Sequence, residues 1–252
     1  MASLSYLPAR RIVMAHLRYF LLLLIWGLGL LIGGPPTMLV AYTRRSRTAH
    51  YPPVKFVIGL GLRIVGIKIE IEGLEKLDPN QTYLFLSNHQ SILDIPAAIN
   101  FLPGNVAFLA KKEHRRIPIL SQGMRRMGMV FIDRRKSRAA VRSIQEVAEK
   151  LKQGISFVVF VEGTRSEDGR LLPFKRGPFF IALESQAAIV PMTMANTYQL
   201  MPKRGQVLRP GKAKVIIHDP ISTKGLGKDD IEWLIKTVHE RIASGLPEEI
   251  RG

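Results

Sequence analysis

The apolar rhythm of the chain changes near residue 68. Before it the apolar positions run on almost without interruption. From Tyr19 to Thr43 no residue is charged, and FLLLLIWGLGLLIGG (20–34) covers most of the ~20 residues that a bilayer crossing takes. Arg10, Arg11 and Arg18 precede the run and Arg44, Arg45 and Arg47 follow it, so the flanking charge sets no orientation. Pro35 and Pro36 predict a break or kink. A second apolar stretch, VKFVIGLGLRIVGI (54–67), has its two cations, Lys55 and Arg63, about 80° apart on a helical wheel. It reads as an interfacial helix with both cations turned to lipid headgroups. The double proline and the symmetric flanks favour a re-entrant hairpin over a spanning helix. A cleaved signal peptide fits poorly, since the apolar core is too long and no small-x-small site follows it.

Beyond that point short β-rich runs alternate with helical patterns. The runs are TYLFLS (82–87), VAFLA (106–110), GMVFI (128–132), SFVVFV (156–161), AAIVPMTM (187–194) and AKVIIH (213–218). Arg138 to Gln153 repeats at helical spacing, with Val141, Ile144, Val147, Ala148 and Leu151 on one face; a second helix is expected from about Lys228 to Ser244. The segment 199–212 reads as a surface loop or hairpin rich in turn residues. The alternation predicts an α/β fold: a mixed, largely parallel sheet flanked by helices, with an N-terminal membrane-attached helical segment. The expected division is 1–67 for membrane-associated helices and 68–252 for the α/β domain.

Composition narrows the chemistry. Cysteine is absent, which removes disulfides, thiolate metal ligands and a cysteine nucleophile together. The net charge of +17 calls for an anionic partner: nucleic acid, a membrane surface or a phosphorylated substrate. With 8% aromatics and no stacking-rich basic motif, nucleic acid is the weakest of these and is not expected as a partner.

Candidate chemistry gathers where apolar strands end. TYLFLS runs into Asn88, His89, Gln90, Ser91, Ile92, Leu93 and Asp94. Ser91 suits a helix N-cap with Asp94 three residues on, so Asp94 also reads as a plain cap and His89 as a loop histidine. On one continuous helix the two side chains would lie about 140° apart. They meet only if His89 precedes the helix and folds back over its first turn, where Asp94 can hold one imidazole nitrogen and leave the other basic. GMVFI is followed by Asp133 and Arg134, a guanidinium suited to bidentate phosphate binding or to a surface ion pair. SFVVFV is followed by Glu162, Gly163, Thr164 and Arg165: a turn where backbone comes close to a ligand, backbone N–H groups for a developing oxyanion, and a second guanidinium, or else a simple strand-end turn. Ile189 to Thr193, with Pro191, reads as shape rather than chemistry.

In this order His-x4-Asp, Phe-Ile-Asp-Arg, Glu-Gly-Thr-Arg and Val-Pro-x-Thr resemble the glycerolipid acyltransferase family, in particular its compact bacterial lysophosphatidic acid acyltransferase branch. Ala110-Lys111-Lys112-Glu113 is similar to that family's basic segment between its first two motifs. The resemblance implies that His89 takes the proton of an acceptor hydroxyl and Asp94 orients it. The hydroxyl then attacks an acyl thioester, on coenzyme A or acyl carrier protein, without an acyl-enzyme on Ser91. It also implies that Lys111, Arg134 and Arg165 hold the acceptor phosphate, that Glu162, Gly163 and Thr164 shape the acceptor site, and that no metal or other cofactor takes part. The partners would be membrane lipids, lysophosphatidic acid and the acyl donor, at a bacterial inner membrane with the α/β domain on the cytoplasmic side. Two positions depart from the family pattern: Val161 replaces a proline and His114 a leucine. The alternatives are glycerol 3-phosphate or a lyso-aminolipid as acceptor, or a metal-dependent lipid phosphatase using His89, Asp94, Asp133 and Glu162.

Overall fold

The structure, a computed structural model, describes residues 9–43, 51–104, 106–132 and 137–251. The chain opens with helix α1 (Ala9–Leu28), a π-helical turn (Gly29–Gly33) and α2 (Gly34–Thr43), which follow one another without a break. The prolines therefore do not end the helix. Pro35 and Pro36 lack N–H groups and crowd the carbonyls one turn back, and the π-turn lies where those carbonyls are. Arg10–Val40 is long and apolar enough to cross a membrane. Val13, Leu17, Phe20, Leu24, Leu31, Ile32 and Leu39 project from it unburied.

Helix α3 (Tyr51–Ile64) returns antiparallel along α1. A methyl group on Gly61 would sit 2.6 Å from the Trp26 indole nitrogen, and one on Gly29 would sit 2.4 Å from Val57, so these glycines let the two helices touch. The expected headgroup role of Lys55 is corrected here. Its ammonium donates to the Leu102 carbonyl at 2.9 Å, and Tyr51 Oη donates to the Val106 carbonyl at 2.8 Å, tying α3 to the domain rather than to lipid.

The second apolar stretch also ends earlier than expected. Gly66, at φ 78°, turns the chain into β1 (Ile67–Glu72), where Ile67, Ile69 and Ile71 alternate with Lys68, Glu70 and Glu72. That period-two pattern makes a strand that the sequence reading passed over. There follow β2 (Leu84–Ser87), α4 (Asp94–Phe101), β3 (Val106–Lys111), α5 (Pro118–Arg126), β4 (Val130–Ile132), α6 (Ser137–Lys152), β5 (Ser156–Phe160), α7 (Gly177–Ser185), β6 (Ile189–Ala195), α8 (Thr197–Leu200), β7 (Gly211–Ile217) and α9 (Ile231–Ser244).

Among the described residues the strands form one sheet in the order β1-β7-β6-β2-β5-β3-β4. The run from β6 to β4 is parallel; β7 is antiparallel to β6, and β1 is parallel to β7. The mixed, largely parallel sheet flanked by helices is thus as the sequence implied. After β2 the chain moves outward through α4 to β3 and β4; after β5 it moves the other way, through α7 to β6. With right-handed crossovers these connections leave on opposite faces, which opens a crevice at the carboxyl ends of the adjacent strands β2 and β5.

The segment 199–212 is not a plain surface loop. Leu200, Met201, Val207 and Leu208 are buried, and Leu208 N–H donates to the Ala15 carbonyl of α1 at 3.0 Å. Thr193 contributes shape, as expected. Its hydroxyl donates to the Ile242 carbonyl at 2.8 Å and accepts His218 Nε2–H at 2.9 Å, locking α9 to the sheet. Burial, with Lys76 and Arg241 nearby, lowers the His218 pKa to about 4, so this histidine stays a neutral donor.

Candidate active site

Strand β2 ends at Ser87, and its register sets Ser87 beside Phe160, the last residue of β5; Val161 N–H donates to the Ser87 carbonyl at 2.9 Å. Two strand ends are thus held side by side. Asn88 fixes the exit from β2. Buried, its amide donates to the Met194 carbonyl at 2.9 Å and accepts Met194 N–H at 2.7 Å. Nothing in the sequence pattern marked Asn88 for this clamp onto β6.

His89 stands before helix α4, as its pairing with Asp94 requires. Its Nδ1–H donates to Asp94 Oδ2 at 2.7 Å. The same oxygen accepts Gln90 N–H and Ser91 N–H, each at 2.8 Å, and Asp94 is fully buried. Three donors converging on one oxygen make the pattern that a carboxylate accepts. They also assign the imidazole tautomer: Nδ1 carries the proton and Nε2 keeps its lone pair. Phe160 lies flat against the ring, with centroids 3.8 Å apart and planes 11° from parallel. A phenyl ring on one face and a carboxylate on one edge leave the imidazole little freedom of orientation. Phe160 was not anticipated, because the register that brings it under His89 exists only in the sheet.

Ser91 and Asp94 make the reciprocal bonds that their spacing suggested: the Ser91 hydroxyl accepts Leu93 N–H at 3.2 Å, and Asp94 Oδ2 accepts Ser91 N–H. The Ser91 hydroxyl adds a long-range tie, donating to the Met201 carbonyl at 2.7 Å. Gln90 is buried too, donating to the Gly169 carbonyl at 2.9 Å. The turn is therefore held from outside by Met194, Met201 and Gly169, none of which lies in the motif itself.

The chain leaving β5 closes the other wall. Gly163 has φ 71°, in the left-handed region that favours glycine, and turns the chain toward Thr164 and Arg165. Ser166 N–H then donates to the His89 carbonyl at 2.8 Å, which sets Arg165 one residue from the catalytic turn and partly exposed. Glu162 is buried: His89 N–H donates to its Oε1 at 3.3 Å, and Oε2 meets no hydrogen-bond partner among the described residues. Burial raises the Glu162 pKa to about 8; the Asp94 charge adds to the rise, while the backbones of His89 and Leu172 act against it.

Lys111, exposed, ends β3 on the far side of β5, paired in register with Ile132 of β4. The sheet thus carries His89, Gly163 to Arg165 and Lys111 out of the carboxyl ends of three adjacent strands. Arg134 and Asp133, which follow β4, lie outside the described residues. The arrangement offers a base, Nε2, on an ordered imidazole, with cations on neighbouring strand ends. It has the parts for taking a proton from a hydroxyl held by an anionic group.

Residues 68–195 match the acyltransferase family. The chain is 35% identical over 176 residues to the 1-acyl-sn-glycerol-3-phosphate acyltransferase alpha of Ovis aries, covering 69% of this chain and 61% of that one. It is 42% identical over 156 residues to a chloroplastic 1-acyl-sn-glycerol-3-phosphate acyltransferase of Arabidopsis thaliana, covering 61% of this chain and 44% of that one. The match therefore spans less than two thirds of these relatives' length. The crystal structure of the 1-acyl-sn-glycerophosphate acyltransferase PlsC from Thermotoga maritima superposes with a TM-score of 0.83 at 30% identity, covering 93% of this chain and 95% of that one.

Proposed function

The chain belongs to the acyltransferase family, and from that premise we propose that it moves a fatty acyl group from an acyl thioester to the sn-2 hydroxyl of 1-acyl-sn-glycerol 3-phosphate, forming phosphatidic acid. The donor is acyl-coenzyme A or acyl carrier protein. His89 Nε2 takes the hydroxyl proton as the oxygen attacks the thioester carbonyl. The tetrahedral intermediate then breaks its C–S bond, and the departing thiolate receives the proton back from Nε2. Asp94 holds the imidazole in the required tautomer throughout. Lys111 and Arg165, with Arg134, bind the acceptor phosphate, and the Thr164 backbone N–H faces the developing oxyanion, that of Gly163 being given to the Phe160 carbonyl. Glu162 supports the wall of the acceptor site.

The observation that carries this reading is the 2.7 Å bond from His89 Nδ1 to Asp94 Oδ2 at the carboxyl edge of the sheet, which leaves Nε2 basic. The apolar first helix and the exposed Ile92, inside the catalytic turn, support a substrate that stays in a lipid layer. We place the protein on the cytoplasmic side of a bacterial inner membrane. The names of the relatives favour 1-acylglycerol 3-phosphate over glycerol 3-phosphate or a lyso-aminolipid.

The test is mass spectrometry of products after incubating the purified full chain with acyl thioesters and a mixture of these three acceptors. Phosphatidic acid formed from 1-acylglycerol 3-phosphate is the expected product. Acylation of another acceptor alone would overturn the acceptor assignment, and phosphate release from phosphatidic acid would overturn acyl transfer.

Direct attack requires that Ser91 is never acylated, and its buried hydroxyl is already committed to the Met201 carbonyl. Ser91→Ala is expected to retain turnover within about tenfold while lowering stability by roughly 1–3 kcal/mol, the cost of stranding a buried partner. Thermal unfolding and steady-state assays read the two effects separately. An acyl group recovered on Ser91 by peptide mapping would refute direct attack.

A further inference from the structure

Two buried carboxyl groups hold His89, one by its ring and one by its backbone, and the mechanism uses only one of them. Asp94 spends its Oδ2 on three donors, while its Oδ1 has no hydrogen-bond partner among the described residues. Glu162, just after β5, accepts the His89 backbone N–H on Oε1, leaves Oε2 without a partner among the described residues, and feels the charge of Asp94. The charge acting on Glu162 is that of Asp94, from the β2–α4 turn; the other wall contributes the backbone of Leu172. Arg165, Glu167, Asp168 and Arg170 sit on the loop between, and Lys175 lies beyond it. Lys175 is exposed, and its backbone N–H goes to the Val161 carbonyl at 2.8 Å. Negative charges on two neighbouring buried groups repel with little screening, so one of the pair gives up its charge. The backbone decides which. Asp94 has three donors that reward the ionised form, while Glu162 has one long bond from His89 N–H and a weaker pull from the Leu172 backbone.

We propose that Glu162 is a positioning residue that works as a neutral carboxylic acid, holding the His89 backbone while leaving Asp94 as the sole negative charge beneath the imidazole. The proposal deepens the assignment of His89 and Asp94 as the reacting pair and rests on it. A neutral Glu162 does not compete with Asp94 for the imidazole proton, and it does not push the Asp94 carboxylate out of the turn. Ionised, it does both. The turn that aims Nε2 then loosens, and turnover falls as the pH passes the Glu162 pKa of about 8.

Glutamine has the shape and neutrality that this role asks for; alanine does not. Glu162→Gln is expected to keep kcat within about threefold of wild type near pH 7 and to lose much of the decline above pH 8. Glu162→Ala, which strands the His89 N–H, is expected to lose at least tenfold in kcat at every pH. KM for the acyl acceptor is expected to move less than kcat in both variants.

Thermal midpoints across pH read the same proton without any reaction. The folded pKa lies above the 4.5 of a free glutamate. The neutral side chain's contribution to stability is therefore fully present below about pH 4.5, and it is lost as the pH rises through about 8. The midpoint of wild type is expected to fall relative to that of Glu162→Gln across this window. Two results would overturn the proposal: thermal midpoints of the two proteins that run parallel from pH 4.5 to 8.5, or a folded Glu162→Gln enzyme as slow as Glu162→Ala. The first does not depend on whether His89 is the base, because the midpoints are measured without substrate.

Discussion

Replacing His89 with alanine is expected to lower thioester-dependent acylation by about 10²–10⁴-fold, the range set by losing a positioned general base. The loss is expected to fall on kcat, because the cations proposed to hold the acceptor phosphate, Lys111 and Arg165, end or follow other strands. The fold is expected to survive. The imidazole is small; although it is mostly buried, chiefly against Phe160, Asp94 keeps the N–H groups of Gln90 and Ser91. Circular dichroism and the thermal midpoint check the fold, and release of free thiol from the donor checks the chemistry. Turnover near that of wild type in a folded His89→Ala protein would remove His89 from the mechanism.

Asp94→Asn is expected to cost nearly as much, although the imidazole stays in place. Asparagine can still accept the N–H groups of Gln90 and Ser91 through its oxygen, so the turn closes as before. The same oxygen faces Nδ1–H, so the tautomer is kept and the amide NH₂ takes the place of the unpartnered Oδ1. What is lost is the negative charge that steadies the imidazole as it takes the hydroxyl proton. A loss of about 10²-fold or more in kcat is expected, from a change of one heavy atom that leaves the backbone where it was. The measurement is steady-state kinetics with NMR of the imidazole nitrogens. A variant with Nε2 still unprotonated and with activity within a few-fold of wild type would show that Asp94 only caps the helix.

The sequence carried the sheet well because strand and helix differ in apolar period. The α6 helix and the strands β2 to β7 follow from that alternation. It carried the His89–Asp94 contact as a geometric condition, that the helix begin after the histidine, and the structure meets it. What it could not carry depends on partners far away along the chain. Asn88 reads as an ordinary polar residue until Met194 is beside it, 106 positions away. Phe160 reads as the end of a strand until register sets it under His89. Strand β1 was passed over because its apolar neighbours upstream extended the helical pattern into it, and the role of Lys55 because a wheel shows which face a cation is on but not what lies opposite. The loop 201–210 reads as plain surface for the same reason: its exposed turn residues are visible in sequence, and the partners that bury Met201, Val207 and Leu208 are not.

Leu93 links two parts that the expected boundary at residue 67 would separate. It immediately precedes Asp94, is fully buried, and shares its hydrophobic cluster with Leu22 of the first helix and Leu62 of α3. The apolar first helix and the His89 turn therefore rest on the same few side chains. A chain built this way does not hang its α/β part on a tether: the imidazole stands at a set height and tilt relative to the long apolar helix, wherever that helix is seated.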